Sequence, residues 1–190
     1  MGIRFGIDID GTVTSPFSII SQINKDFHMQ LTMEDITEYE LTPFVNATPE
    51  EFSKWFKETE ATIYRDSPIF EGAKEILNKW EKEHELIFIS ARGNNMLGVT
   101  EGWLDKHQIH YDHIELIGSH DKIDAAKKLQ VNLFLEDKHD NAVMISEACN
   151  IPVLLFDTPY NRKPIPENVI RVYTWEEADQ WVTNWLQTRK

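Results

Sequence analysis

Apolar residues recur along this chain in two rhythms, and the change between them divides it. Residues 3–7, IRFGI, form a short apolar run of strand formers that stops at once in Asp8, Asp10 and Gly11. From about 15 to 70 the apolar positions fall at helical spacing instead. Phe17, Ile20, Ile23 and Phe27 lie on one helix face, with Ser15 as a candidate N-cap and Pro16 at the first helical position. Two or three further short helices are expected before residue 70, broken at Pro43, Pro49 and Pro68; Thr48-Pro49-Glu50-Glu51 carries the signs of a helix start, and no strand pattern appears.

From Gly72 onward, amphipathic and apolar segments alternate. AKEILNKWEKEH, NNMLGVTEGWLDKHQI, DKIDAAKKLQ and HDNAVMISEACN read as helices, and ELIFIS, HIELI, VNLFLED and PVLLFD as the strands between them. ENVIRVYT and WEEADQWVTNWLQ close the chain as strand and helix, the latter with Thr174 and Glu177 placed for a capping box. Apolar strands alternating with helices predict a parallel sheet covered on both faces, with ligands bound beyond the strands' carboxyl ends. The expected architecture is therefore α/β and three-layered, with a Rossmann-like core over 1–14 and 71–190 and a small helical cap over 15–70, inserted after the first strand.

Composition narrows the partners. At 190 residues the chain can bury one ample core, and a net charge of −13 argues against a nucleic-acid polymer or an anionic membrane surface. Any anionic substrate then needs a local positive centre. The single cysteine, Cys149, excludes an internal disulfide framework and fits a reducing compartment, the cytoplasm by default. Neither a signal sequence nor an apolar run of about 20 residues is present.

The chemistry concentrates at strand ends. Asp8 and Asp10 are two apart, so they share a strand face, and two carboxylates so close resist joint ionisation unless a divalent cation joins them. ELIFIS ends in Ser90, followed by Ala91-Arg92-Gly93; Lys122 opens a helix; VNLFLED ends in Glu136-Asp137. Asp8-Ile9-Asp10-Gly11-Thr12 resembles motif I of the haloacid-dehalogenase-like (HAD) phosphatases. Ser90, Lys122 and Asp137 resemble motifs II, III and IV, in family order. DIDGTVT, ISARG, LEDKHDNA and LLFDTPYNR, together with the helical segment after motif I, resemble the cytosolic C-type 5′(3′)-deoxyribonucleotidase branch and its bacterial nucleotidase relatives.

That resemblance implies a Mg²⁺-dependent phosphomonoesterase acting on nucleoside monophosphates through an aspartyl-phosphate. Asp8 is then the nucleophile, Asp10 the acid and base, Ser90 a hydroxyl that holds the phosphate oxygens, and Lys122 the cation that neutralises phosphate and nucleophile. The metal falls to Asp8, Asp10 through its main-chain carbonyl, and Asp137, an all-oxygen set that suits Mg²⁺. Glu136 departs from the family's usual Asp or Gly at that place, which leaves its part in metal binding open. Asp140 is expected to support the site through Lys122 or a neighbouring hydrogen bond. Gly11, Thr12, Ala91 and Arg92 are expected to hold phosphate, and Phe17, ahead of Phe44, Trp55, Phe56 and Tyr64, to reach the rest of the substrate. Arg162 lies on the same sheet edge. Two other readings keep these residues: a HAD phosphatase of a sugar phosphate or other small metabolite, and a non-catalytic module binding Mg²⁺ and phosphate. His107, His110, Asp112 and His113 lack a ligand spacing and read as surface residues. Trp175, Trp181 and Trp185 form a stripe expected to pack on the sheet, with a homodimer face as its other use.

Overall fold

The computed structural model describes residues 2–189. Six strands, β1 (Arg4–Ile7), β2 (Glu85–Ser90), β3 (His113–Leu116), β4 (Leu133–Glu136), β5 (Val153–Phe156) and β6 (Val169–Val172), form one sheet in the order β3-β2-β1-β4-β5-β6. Every neighbouring pair is parallel. The chain leaves β1 toward one edge, then returns to β1's other side at β4. This reversal opens a crevice at the carboxyl ends of β1 and β4, where an open α/β sheet binds its ligand.

Alternate strand residues feed two cores. Phe5, Ile7, Phe88, Leu135 and Phe156 face helices α3 (Ala73–Trp80), α4 (Leu97–His107) and α7 (Trp175–Thr188). Ile87, Ile89, Phe134 and Leu155 face α5 (Ile123–Lys128) and α6 (His139–Cys149). Gly6 lies opposite Phe134 in the β1–β4 register, and a Cβ there would meet Phe134 Cε2 at 2.6 Å and Val131 Cγ1 at 2.8 Å, so only glycine lets that ring lie across β1. The tryptophan stripe packs inward as expected. Trp175, Ala178 and Val182 are buried, Trp181 and Trp185 pack partly against them, and Trp175 Nε1 donates to the Thr12 carbonyl at 3.1 Å. Cys149, at the end of α6, is half-buried. No helix among the described residues is long and apolar enough to cross a membrane.

Residues between β1 and α3 contain α1 (Ser18–Asp26), α2 (Pro49–Asp66) and two single 3₁₀ turns, 33–35 and 42–44, so the expected series of helices reduces to two. The α2 start is as read: Thr48 Oγ1 accepts from the Glu51 N–H at 3.2 Å and Glu51 Oε2 accepts from the Thr48 N–H at 2.8 Å. The α1 start is not. Ser15 N–H donates to the Pro68 carbonyl and Phe70 N–H to Val13, both at 2.8 Å, around a Thr14–Ile69 bridge. That antiparallel clasp ties Ser15 to the returning chain, so the helix begins at Ser18 with Phe17 as its cap residue. Ile63 and Tyr64 of α2 pack against Met96 and Leu116, seating the inserted segment on the sheet's end.

Candidate active site

The β1–β4 register, Ile7 beside Leu135, continues one residue further, because the Asp8 N–H donates to the Leu135 carbonyl at 2.9 Å. Asp8 and Glu136 are thereby brought abreast. Lys122, the cap residue before α5, reaches both: its Nζ donates to Asp8 Oδ1 and, at 2.8 Å, to Glu136 Oε2. Asp137 completes the group, since one carboxylate oxygen from each of Asp8, Glu136 and Asp137 lies within 4.8 Å of the others. All four side chains are buried. Asp137 is held by the Tyr160 hydroxyl, which donates to Oδ2, and by Asn161, whose Nδ2 donates to the Asp137 carbonyl at 2.6 Å.

The electrostatics follow from this crowding. Burial pushes the Asp8 carboxyl up to about 7, opposed by Lys122 and reinforced by Glu136 and Asp10. Burial, then Glu136 and Asp8, raise Asp137 well above the usual carboxylate range. Burial works against the Lys122 charge, yet Asp8 and Glu136 hold it above the ordinary ammonium value. Among the described residues lining the cavity, five acids, Asp8, Asp10, Glu40, Glu136 and Asp137, stand against two cations, Lys122 and Arg92, an excess of acidic groups. Hard carboxylate oxygens with that excess fit a divalent cation.

Gly11 has φ +82°, and a Cβ there would overlap the Asp137 carboxylate, with Cγ at 2.8 Å and the Tyr160 hydroxyl at 3.3 Å. Both its backbone conformation and its closeness to Asp137 demand glycine. Gly11→Ala is expected to cost about 1–3 kcal/mol in urea unfolding and to weaken divalent-cation binding in calorimetry by displacing Asp137.

The acids open into a cavity of about 400 Å³ between the sheet end and the inserted segment. Among predicted residues, Asp8, Asp10, Gly11, Ala91, Arg92, Lys122 and Asp137 lie in its walls, with Phe56 and Tyr64. Ser90 is buried, and its hydroxyl accepts from the Arg92 N–H at 3.2 Å; Thr12 is buried with its hydroxyl unpartnered. Phe17 is not in the wall and is 44% exposed. With α1 starting late, Ser18, Ile19 and Ile20 face the cavity instead. Phe44 and Trp55 also lie outside it, whereas Phe52, Tyr39 and Tyr160 line it.

Three further expectations change. The Asp10 carboxylate stands apart from the acidic trio, in a two-pronged pair with Arg92 Nε (2.8 Å) and Nη2 (2.7 Å), so Arg92 does not present a free guanidinium to phosphate. Asp140 is exposed and pairs with His139 at 2.9 Å, away from Lys122, because α6 turns it outward. Arg162 is taken up by Asp157 and Glu34 outside the cavity. Glu136, whose part the sequence left open, bonds to Lys122. Tyr160 is what the residue pattern did not single out, because a tyrosine in a loop has no pattern to mark it.

The family described as 5′ nucleotidase, deoxy (Pyrimidine), cytosolic type C protein matches residues 2–189. A "Putative nucleotidase" of Halalkalibacterium halodurans is 48% identical over 184 residues, 97% of this chain and 94% of that protein. Its namesake in Bacillus subtilis is 44% identical over 182 residues, 96% of this chain and 94% of that one. The fold is similar to that of a Bacillus subtilis HAD-hydrolase solved bound to magnesium, with a TM-score of 0.63 at 10% identity over 96% of this chain and 99% of that one. Register, acidic trio and sequence agree: this chain belongs to the cytosolic type C 5′-nucleotidase family of HAD-like phosphoric monoester hydrolases.

Proposed function

We propose that this chain removes the 5′-phosphate of ribo- or deoxyribonucleoside monophosphates in the cytoplasm, with Asp8 capturing the phosphoryl group. The observation that carries the reading is the Lys122 ammonium joined to Asp8 and Glu136 beside Asp137, in the wall of a cavity that apolar side chains also line. Asp8 attacks phosphorus in line as the bond to the leaving oxygen breaks, and Asp10 gives that oxygen its proton. Asp10 then takes a proton from water, which attacks the aspartyl-phosphate and frees inorganic phosphate and Asp8. Lys122 orients Asp8 and offsets charge on the phosphoryl oxygens, while Ser90 and the Ala91 and Gly11 backbone border the phosphate.

Mg²⁺ fits Asp8, Asp137 and the Asp10 main-chain carbonyl, and when bound it supplies positive charge to the phosphoryl oxygens. Glu136 has one oxygen on Lys122 and the other accepting the Lys138 N–H at 3.2 Å, which assigns it to holding Lys122. Residues 15–70 act as the cap over a core of 1–14 and 71–190. Ile19, Ile36, Leu41, Phe52 and Phe56 are the cap residues that meet the nucleoside, in place of Phe17. The cavity's volume of about 400 Å³ suits one mononucleotide.

A phosphate-release screen with Mg²⁺ over ribo- and deoxyribonucleoside monophosphates and common sugar phosphates tests this. Turnover confined to sugar phosphates would overturn the substrate, and no turnover of any phosphomonoester would overturn the chemistry.

Cation binding has its own signature. A carboxyl raised from 3.8 to about 7 on folding binds more protons folded than unfolded between those values, so without a cation Asp8 makes stability fall as pH rises through that window. The cation displaces those protons and so binds better at high pH. Saturation at 100 times Kd contributes about 2.7 kcal/mol, which at ~2–4 °C per kcal/mol is a Tm rise of roughly 5–10 °C at pH 8. The rise should be markedly smaller at pH 6. A shift independent of pH would contradict the carboxylate site.

A further inference from the structure

Among the described residues Arg92 is the one buried arginine. A guanidinium cannot shed its charge, and burying one costs several kcal/mol unless it is fully engaged. Its surroundings meet that demand on three sides. Nε and Nη2 hold Asp10, Nη1 donates to Thr100 Oγ1 at 3.0 Å, and the Tyr64 ring covers the plane with Cζ 3.9 Å from its centroid. The Thr100 hydroxyl donates to the Met96 carbonyl at 2.9 Å, which fixes it as an acceptor for Arg92. The two partners differ sharply in exposure: the Arg92 side chain is 0% accessible and that of Asp10 43%. A fixed fork thus grips a carboxylate that opens to the cavity.

We propose that Arg92 is a positioning residue that sets the Asp10 carboxylate at the angle from which it exchanges a proton with the leaving oxygen, and that Tyr64, carried by the inserted segment, completes the clamp. The proposal rests on the reading of Asp10 as acid and base. Arg92 stays protonated throughout and touches neither phosphorus nor leaving oxygen. The proton passes from Asp10 to the departing alkoxide as the P–O bond breaks, and returns to Asp10 from water. A two-pronged grip permits this, because a protonated carboxyl oxygen still has a lone pair with which to accept. Lysine keeps the charge but not the fork.

The test compares leaving groups. A nucleoside alkoxide needs its proton, whereas p-nitrophenolate departs without one, and kcat/KM reports the steps through phosphoryl transfer. In Arg92→Lys the loss of kcat/KM on a nucleoside monophosphate should exceed the loss on p-nitrophenyl phosphate by about 10–100-fold. Thr100→Val, which removes the Nη1 acceptor and the hydroxyl's bond to the Met96 carbonyl but leaves both Arg92 contacts to Asp10, should show the same selectivity at roughly 3–10-fold. Equal losses on both substrates, or none, in folded Arg92→Lys would overturn the proposal. If Arg92→Lys shows no cooperative melt, Thr100→Val decides by the same criterion. Asp10→Asn runs alongside: without leaving-group selectivity there, the reading of Asp10 itself falls, whereas selectivity there and not in Arg92→Lys overturns the clamp alone.

Discussion

Asp8→Asn is expected to lower kcat/KM on a nucleoside monophosphate by at least about 10⁴-fold, the scale on which hydrolases lose activity with their covalent nucleophile, while the protein stays folded. The amide matches the carboxylate in shape, and the Asp8 main-chain bond to Leu135 does not depend on the side chain. It lacks the charge that attacks phosphorus. It also removes one of three mutually repelling acids, while Lys122 keeps Glu136 at 2.8 Å. In EDTA, therefore, Tm should hold near the wild-type value, but the rise produced by Mg²⁺ should largely vanish with one cation donor neutralised. The pairing of outcomes matters. Activity lost together with the fold would say only that Asp8 is structural, and activity that persists and co-elutes with the variant on gel filtration would remove Asp8 from the nucleophile's role.

Much of the core was legible because buried parallel strands write themselves as unbroken apolar runs, and LIFIS, LFLE and VLLF are such runs bounded by turn residues. What the runs do not encode is their order. That β4 lies against β1 follows from how α3, α4 and α7 share one face and α5 and α6 the other, a property of the packed whole. The site divides along the same line. Asp8, Lys122 and Asp137 were readable as strand-end and helix-start residues, but the alignment of Asp8 with Glu136 depends on register between distant segments. Likewise nothing local distinguishes Arg92, buried on Asp10, from Arg162, paired on the surface. The start of α1 failed for the opposite reason. Ser15-Pro16 is a sound local signal, and the Thr14–Ile69 clasp overrides it.

Lys122→Met should cost about 3–5 kcal/mol in urea unfolding at pH 8 in EDTA, the usual cost of leaving a buried carboxylate without its partner. Methionine fills much the same volume, so the loss measures charge rather than a void. Among the described residues the Lys122 ammonium is the one group donating to both Asp8 and Glu136, and it also lies 5.7 Å from the Phe134 ring centroid. Without it Asp8, already raised to about 7 by burial against the pull of Lys122, rises further. The sign with pH then follows: protonating the acids removes the unpaired charge, so the deficit should shrink at pH 5 and widen toward pH 8. Mg²⁺ should restore part of the stability, because a divalent cation can answer the same carboxylates. It should not restore the rate, and a loss of roughly 10²–10³-fold in kcat/KM at saturating Mg²⁺ is expected from removing one preorganised positive donor. A variant as stable as wild type at pH 8 without cation would mean that the charge on Asp8 and Glu136 is compensated by something other than Lys122. Full activity with Mg²⁺ would mean that the ammonium serves the fold alone, since the two readouts separate a charge that holds the acids in place from one that acts on the phosphoryl group.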